Sequence, residues 1–353
     1  MKQVLRSAVA IAAVALAVAA CGSKPKDGGD KASSGFNGCL VTDTGGVDDR
    51  SFNESASDGL KSVDGVGYKL QQSQQASDYK PNIESFLHSK CGVIITVGGL
   101  MGDVTQQEAE ANPKQKFIGI DQSFAKPIKN VKALIYDTSQ AGYLVGYLAA
   151  GMTKTGTVGT FGGQKLPTVT IYMDGFAEGI AKYNSVHHKS VKLLGWNEKS
   201  QNGSFTNDFQ DQDKGKQISQ QFINQGADII FPVAGNAGLG APAAAKADSS
   251  GKTMVIWVDT DGCASSKQYC KYFLTTAEKS IAKSVNVAVT AAKDGSFSGE
   301  NYLGTLKNGG VGIAPYHDFE SKVPASLKKE VEQLKQDIIS GKITVHSPSA
   351  PKG

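Results

Sequence analysis

The same order of strand and helix signals occurs twice along this chain. Residues 91–97 form a buried strand signal that ends in glycines, and residues 227–234 repeat it. Residues 116–121 and 252–261 are a second matching pair, and both end in aspartate. Alternating strands and helices with short connections are typical of parallel sheets covered on both faces. The repeat therefore predicts an α/β fold of two lobes, each a parallel sheet flanked by helices. Acids and glycines at the sheet edges predict a cleft between the lobes.

The later segments predict how the chain passes between the lobes. Residues 277–293 read as a long helix that returns to the first lobe, and residues 305–314 as a strand that crosses to the second. Three crossings result, and lobes joined in this way move as a hinge about the cleft. The predicted division is a first lobe of residues 38–138 and 273–302, a second lobe of residues 139–272 and 303–347, and a polar tail over residues 348–353.

The N-terminus reads as an export signal. Lys2 and Arg6 precede an apolar run over residues 7–20, which is too short to span a bilayer as a mature helix. Small residues then lead directly into Cys21, as in bacterial lipoprotein signals, and a polar stretch follows that has nothing to bury. The alternative is an ordinary secretory signal with Cys21 incidental. We predict a signal peptide over residues 1–20, lipid on Cys21, a tether over residues 21–37, and a cell-membrane location facing the extracytoplasmic side.

The other four cysteines fit disulfides better than a metal site. Export permits disulfides, and four cysteines allow three pairings. Cys39 and Cys91 stand at the starts of predicted strands that are neighbours in a sheet of order 2-1-3, whereas Cys263 and Cys270 lie in one loop. We therefore favour Cys39 with Cys91 and Cys263 with Cys270. Without a Cys-x-x-Cys pair, zinc is disfavoured, and no metal is predicted.

Charge and motifs argue against two broad function classes. The net charge is only +4, Lys2 and Arg6 included, and no long basic run appears, so nucleic acid is not an expected partner. The common hydrolase and nucleotide-triphosphate motifs are missing from the sequence, and so is a calcium loop. We expect neither enzymatic activity nor a cofactor.

The loop over residues 41–53 has a composition suited to a ligand. It follows a short apolar strand, contains Gly45 and Gly46, and leads into a helix. Asp43, Phe52 and Asn53 provide an acid, an aromatic ring and an amide within a few residues. Such a mixed set suits a polar molecule that has a flat face.

The same loop resembles the signature of the basic membrane protein family, which includes purine nucleoside receptor lipoproteins of spirochaetes. The resemblance continues in order at residues 117–121, at 226–230 together with 234–235, at 258–261 and at 280–289, and so spans nearly the whole mature chain. It implies a periplasmic-binding-protein-like fold of type I with a three-crossover hinge. It also implies a monomeric substrate-binding lipoprotein of an ABC importer, which captures adenosine, guanosine or inosine and passes it to a permease.

The resemblance further implies that the base lies between two aromatic rings, one from each lobe. Phe52 would be the first ring and Phe209 the second, with Phe205 one helical turn earlier as the alternative. Stacking contributes about 1 to 3 kcal/mol for any purine, while carboxylates accept hydrogen bonds from base and ribose. The remaining residues of the predicted site are Asp43, Asn53, Asp121, Gly235, Asp261 as a ribose acceptor, and Lys283 as a ribose donor.

Other interpretations of these residues remain open at this point. Asp43 and Asp121 are also compatible with helix caps, and Phe52 with an ordinary core position. The same fold could bind a sugar or an autoinducer-like furanose, because sugars stack on rings too. An exported nucleoside-cleaving enzyme is a third possibility, but it requires a calcium cluster or a phosphate loop that the sequence lacks.

Overall fold

The structure, a computed structural model, describes residues 35–351 and contains two six-stranded sheets and a two-stranded ribbon. Cys21, the predicted signal peptide and nearly all of the predicted tether lie outside the described residues. Within residues 35–351, no helix has the length and apolarity needed to cross a membrane.

The first sheet is entirely parallel. Up to the first crossing, its lobe contains β1 (Asn37–Val41), α1 (Phe52–Lys61), β2 (Gly67–Gln71), α2 (Tyr79–His88), β3 (Val93–Val97), α3 (Gly102–Ala111), β4 (Phe117–Ile120) and β5 (Val131–Tyr136). The later elements α9 (Ile281–Lys293) and β13 (Tyr302–Gly304) complete it. The strand order is β2-β1-β3-β4-β5-β13, and every residue of β3 is buried because helices cover both faces.

The second sheet differs from the first in one antiparallel strand at its edge. Its lobe contains α4 (Ser139–Met152), β6 (Thr157–Gly162), α5 (Pro167–His187), β7 (Lys192–Leu194), β8 (Trp196–Asn197), β9 (Asn202–Gly203), α6 (Gln212–Asn224), β10 (Ile229–Val233), α7 (Gly240–Ala247), β11 (Met254–Asp259), α8 (Gly262–Ser265), β12 (Phe273–Lys279), β14 (Val311–Ile313) and α10 (Ala325–Ile339). The order is β7-β6-β10-β11-β12-β14, and β14 runs antiparallel to β12.

The two sheets correspond strand for strand, which confirms the predicted two-lobed α/β fold. The predicted order 2-1-3 is present in the first sheet as β2-β1-β3, and the second sheet repeats it as β7-β6-β10. The chain passes between the lobes after β5, between β12 and α9, and between β13 and β14. These are the three crossings of the predicted hinge.

Two lobe boundaries differ from the prediction. Residues 273–279, predicted for the first lobe, form β12, which pairs with β11 in the second sheet. The sequence alone does not separate the end of this strand from α9, because Ala277, Glu278 and Lys279 are acceptable helix residues. The second difference is that β13 pairs with β5, so the first lobe extends to Gly304, beyond the predicted limit at residue 302.

The segment after α10 packs against α5. The backbone N–H of His346 donates to Glu178 Oε2 at 3.0 Å, and Ser347 Oγ donates to Asp174 Oδ2 at 2.5 Å. The hydroxyls of Ser349 and Thr170 are 2.7 Å apart. Residues 348–351 of the predicted polar tail are therefore fixed on the second lobe.

The two disulfides have the cysteine pairing that the sequence favours. Cys39 in β1 is bonded to Cys91, just before β3, with Cα atoms 6.0 Å apart. Cys263 in α8 is bonded to Cys270, with Cα atoms 4.5 Å apart. The first pair forms because adjacent parallel strands begin at the same edge of the sheet.

Candidate ligand-binding cavity

A cavity lies between the carboxyl edges of the two sheets. It contains about 550 Å³ of empty space, its open mouth included. Its walls come from the loops after β1, β3 and β4 in the first lobe and from the ends of β10, β11 and β12 in the second. The start of α5 and the loop before α6 complete it.

The structure brings most of the predicted site residues to this cavity. The predicted residues that line it are Asp43, Phe52, Asn53, Asp121, Phe209 and Gly235. Asp261 and Lys283 do not line it. Instead, the second lobe contributes Asp259 and Lys279, which lie two and four residues earlier in the chain.

Asp43 and Asn53 hold each other in the first loop. Asp43 Oδ1 accepts from the backbone N–H of Gly45 and from Asn53 Nδ2, both at 2.8 Å, and Asn53 Oδ1 accepts from the N–H of Asp43 at 3.3 Å. Burial raises the pKa of Asp43, although these hydrogen bonds favour the charged form. The loop therefore presents a buried acid that is fixed on one side.

A further acid, Asp49, anchors the start of α1. Its carboxylate accepts from the backbone N–H groups of Ser51, Asn53 and Glu54 at 3.0, 2.8 and 3.1 Å. Asn53 Nδ2 donates to it as well, at 2.9 Å. Free N–H groups at a helix start need such acceptors, so Asp49 has a clear structural function beside its place in the cavity wall.

The two predicted rings come from opposite lobes. Phe52 is the first residue of α1, and Lys279 Nζ lies 4.8 Å from the centre of its ring. Phe209 lies in the loop before α6, against Gly163, where a Cβ atom would overlap the ring. Phe205 packs edge-on against Trp196, with the ring centres 6.1 Å apart, and does not line the cavity.

Buried charges meet near the hinge side of the cavity. Lys279 Nζ lies 2.6 Å from Asp121 Oδ2 and 3.6 Å from Asp259 Oδ1. Tyr172 donates its hydroxyl to Asp259 Oδ1 at 2.8 Å. Burial opposes the charge on Lys279, but the two carboxylates outweigh it and raise the pKa of Lys279. Burial also raises the pKa of Asp121, which Lys279 counteracts.

Comparison with known proteins identifies the family. The model of the Bmp family, described as ABC transporter substrate-binding protein PnrA-like, matches residues 37–349. The chain belongs to the Bmp family. This confirms the resemblance found in the sequence, and it makes the protein an ABC transporter substrate-binding protein and not an enzyme.

Similar proteins match the Bmp chain over nearly its full length. The nucleoside-binding protein BmpA of Lactococcus lactis is 33% identical over 361 aligned positions, which cover 97% of each chain. The CD4+ T-cell-stimulating antigen of Listeria innocua is 32% identical and covers 95% of this chain and 96% of its own. An Aeropyrum pernix ABC transporter solute-binding protein has the same fold, with a TM-score of 0.80, 23% identity, and coverage of 89% of this chain and 94% of its own.

Asp261 and Lys283, which the sequence predicts for the site, lie elsewhere in this Bmp protein. Asp261 caps the short helix α8 by accepting from the N–H of Cys263 at 3.0 Å, and its other oxygen lies 2.8 Å from His317 Nε2. Lys283 is exposed on α9. Had β12 been recognised in the sequence, Lys279 would have been predicted at its carboxyl end, where cavity residues lie. No comparable signal distinguishes Tyr172.

The charge of the cavity restricts its ligand. Asp43, Asp49, Asp121 and Asp259 line it, and among the described residues Lys279 is the one cation in its wall. That lysine already contacts two carboxylates. The arrangement suits an uncharged molecule that donates hydrogen bonds and has flat faces.

Proposed function

We propose that this Bmp protein captures purine nucleosides outside the cytoplasm and delivers them to an ABC permease. One observation carries the proposal: Phe52 and Phe209 come from opposite lobes and line a single cavity, and four carboxylates lie in the same wall. Two rings provide stacking for a planar base, at about 1 to 3 kcal/mol per stacked ring. The carboxylates are acceptors for the N–H and O–H groups of base and ribose.

The carboxylates favour a nucleoside over a nucleotide. A phosphate placed about 4 Å from a carboxylate at an effective dielectric constant of 20 is repelled by about 4 kcal/mol. Lys279 is the nearest cation, but it is engaged by Asp121 and Asp259. Uncharged nucleosides meet no such penalty.

The name of the Lactococcus lactis relative, a nucleoside-binding protein, supports the same ligand class. The proposal includes the predicted lipid on Cys21, which would hold a monomeric receptor at the membrane beside its permease. Lobe closure about the hinge would be the working step, with no bond broken in the ligand.

Isothermal titration calorimetry of the purified protein tests the ligand. We expect binding of adenosine, guanosine or inosine, and binding of AMP that is at least about a hundredfold weaker because of phosphate repulsion. D-Ribose and D-allose serve as sugar controls. Tight binding of a sugar without any nucleoside would establish the sugar alternative, and the absence of heat with all three nucleosides would refute the proposal.

A Cys21→Ala variant tests the anchor in the native host. We expect the unchanged protein in the membrane fraction and the variant in the medium or the periplasm. Equal membrane association of both would refute anchoring through Cys21.

A further inference from the structure

Ser51 connects the two lobes beside the cavity. It directly precedes α1 in the first lobe and is fully buried. Its hydroxyl lies 2.9 Å from Asp259 Oδ2 and 3.2 Å from the carbonyl oxygen of Val258, both at the end of β11 in the second lobe. The proton of this hydroxyl is therefore directed at the other lobe.

The hydrogen bonds of Asp259 divide between the lobes. Tyr172 donates to Oδ1 at 2.8 Å, and Lys279 Nζ is 3.6 Å from the same oxygen; both belong to the second lobe. Oδ2 accepts from Ser51 of the first lobe. If the hinge opens, Oδ1 keeps its donors, whereas Oδ2 loses the Ser51 hydroxyl.

The donor is held in place by the first lobe itself. The N–H of Ser51 donates to Asp49 Oδ1 at 3.0 Å. At the residue before Ser51, the carbonyl oxygen of Arg50 accepts from the indole N–H of Trp257 in the second lobe at 3.2 Å, which is a further hydrogen bond between the lobes. Because Asp49 fixes the backbone, the hydroxyl needs little reorganisation when the lobes meet.

We propose that Ser51 is a positioning residue that couples lobe closure to Asp259. When the lobes meet, its hydroxyl completes the donors around this carboxylate and fixes the orientation in which Asp259 faces the ligand. Hydrogen bonds to an ionised group are stronger than neutral ones, and this one lies in a water-excluded interface. The inference rests on the proposed function only for the choice of ligand.

The bond exists only while the lobes are closed, so its loss favours opening of the lobes and thereby acts on dissociation of the ligand. Changes to contacts that form late in binding usually alter the dissociation rate more than the association rate. In Ser51→Ala, we expect adenosine, or whichever nucleoside binds in calorimetry, to dissociate roughly tenfold faster, with the association rate changed less than about twofold.

Ser57→Ala is the matched control. Ser57 is also a fully buried serine, in α1 of the same lobe, and its hydroxyl lies 2.9 Å from the hydroxyl of Tyr68 in the first lobe. Both variants lose one buried hydroxyl, but only Ser51 reaches the second lobe. A purely structural effect would lower the stability of both variants without accelerating dissociation from either.

Stopped-flow measurement of nucleoside dissociation from the native protein and both variants decides between these outcomes. Faster dissociation from Ser51→Ala alone supports the proposal. Equal dissociation rates for Ser51→Ala and Ser57→Ala overturn it.

Small-angle X-ray scattering without nucleoside gives a reading that does not depend on the ligand. We expect a larger radius of gyration for Ser51→Ala than for Ser57→Ala, because one bond between the lobes is lost. Identical scattering of the two variants counts against Ser51. If no nucleoside binds to the native protein, the proposed function fails, and scattering alone still decides the role of Ser51.

Discussion

Asp121 and Asp259 lie at equivalent strand ends of the two lobes, and both carboxylates contact the ammonium group of Lys279, at 2.6 and 3.6 Å. Both residues also have positive φ angles, 57° and 67°. A non-glycine residue in the left-handed region carries about 1 kcal/mol or more of strain, which persists only where the surroundings impose it. Here it turns both acids toward one lysine, at the edge where each strand ends.

Lys279→Met should destabilise the protein. It leaves two buried carboxylates without their cation, and breaking a buried pair from one side costs about 3–5 kcal/mol. Urea unfolding measures the difference, and Lys283→Met is the control because Lys283 is exposed on α9. We expect Lys283→Met to stay within about 0.5 kcal/mol of the native protein. Equal effects of the two changes would contradict the structural assignment.

Phe209→Ala should weaken the binding of every purine nucleoside by a similar factor. The loss of one stacking ring corresponds to about 1–3 kcal/mol, or roughly fivefold to 150-fold in affinity. Phe205→Ala is the matched control, because Phe205 packs against Trp196 outside the cavity. It should lower the melting temperature and leave affinity unchanged. Calorimetry that showed the affinity loss in Phe205→Ala would reverse the assignment of the second ring.

The two disulfides should differ in what they contribute to stability. By loop-closure entropy, the separation of 52 residues between Cys39 and Cys91 corresponds to about 4 kcal/mol, and the separation of 7 between Cys263 and Cys270 to about 2 kcal/mol. Double Cys→Ala variants of each pair, compared by urea unfolding, test this order. Neither pair lines the cavity, so nucleoside affinity should not change. A larger loss from the short loop would contradict the entropic account.

Glu198 should make stability depend on pH. Burial, reinforced by the carboxylates of Glu178 and Asp174, raises the pKa of Glu198 from 4.5 to about 7. A folded-state pKa above the unfolded value means that this contribution to stability is fully present below pH 4.5 and is lost as the pH rises through about 7. The free energy of unfolding of Glu198→Gln, relative to that of the native protein, should therefore rise between pH 5 and pH 8. We expect a rise of less than about 1 kcal/mol because the side chain is partly solvated.

Unfolding titrations at both pH values measure this change. Glu300→Gln, at an exposed position, is the control and should follow the native curve. The interpretation fails if Glu198→Gln has the same pH dependence as the native protein.

The strands and the first loop can be predicted from the sequence because they depend on local patterns. Buried strands such as β3 are continuous apolar runs, and the start of α1 follows a glycine-rich turn. These patterns predict the strands themselves and the placement of Asp43 and Phe52 at one sheet edge, whereas the order β2-β1-β3 is the one that the doubly wound fold class predicts.

The two charged cavity residues of the second lobe, Asp259 and Lys279, could not be predicted in this way. Asp259 and Asp261 are two residues apart and share a face in any extended strand, so alternation cannot choose between them. The positive φ of Asp259 ends that alternation, and Asp261 becomes a helix cap. Lys279 was hidden because the end of β12 reads as the first turn of α9. Both errors arise where tertiary pairing overrides local pattern.

The position of Lys279 has a mechanical consequence. Only Ser280 separates it from α9, so this lysine lies beside a crossing between the lobes. We call the sheet edge at β5, where the chain crosses, the pivot edge, and the contact of Lys279 with Asp121 lies close to it. Gln210 donates its side-chain N–H to the carbonyl oxygen of Thr44 after β1, three strands from β5 and therefore about 14 Å from the pivot edge. For the same rotation, the loop carrying Phe209 and Gln210 sweeps a much longer arc than the lysine. In a rotation about that edge, the charged residues at the floor of the cavity would therefore move little, while the second ring would move farther and close over the ligand.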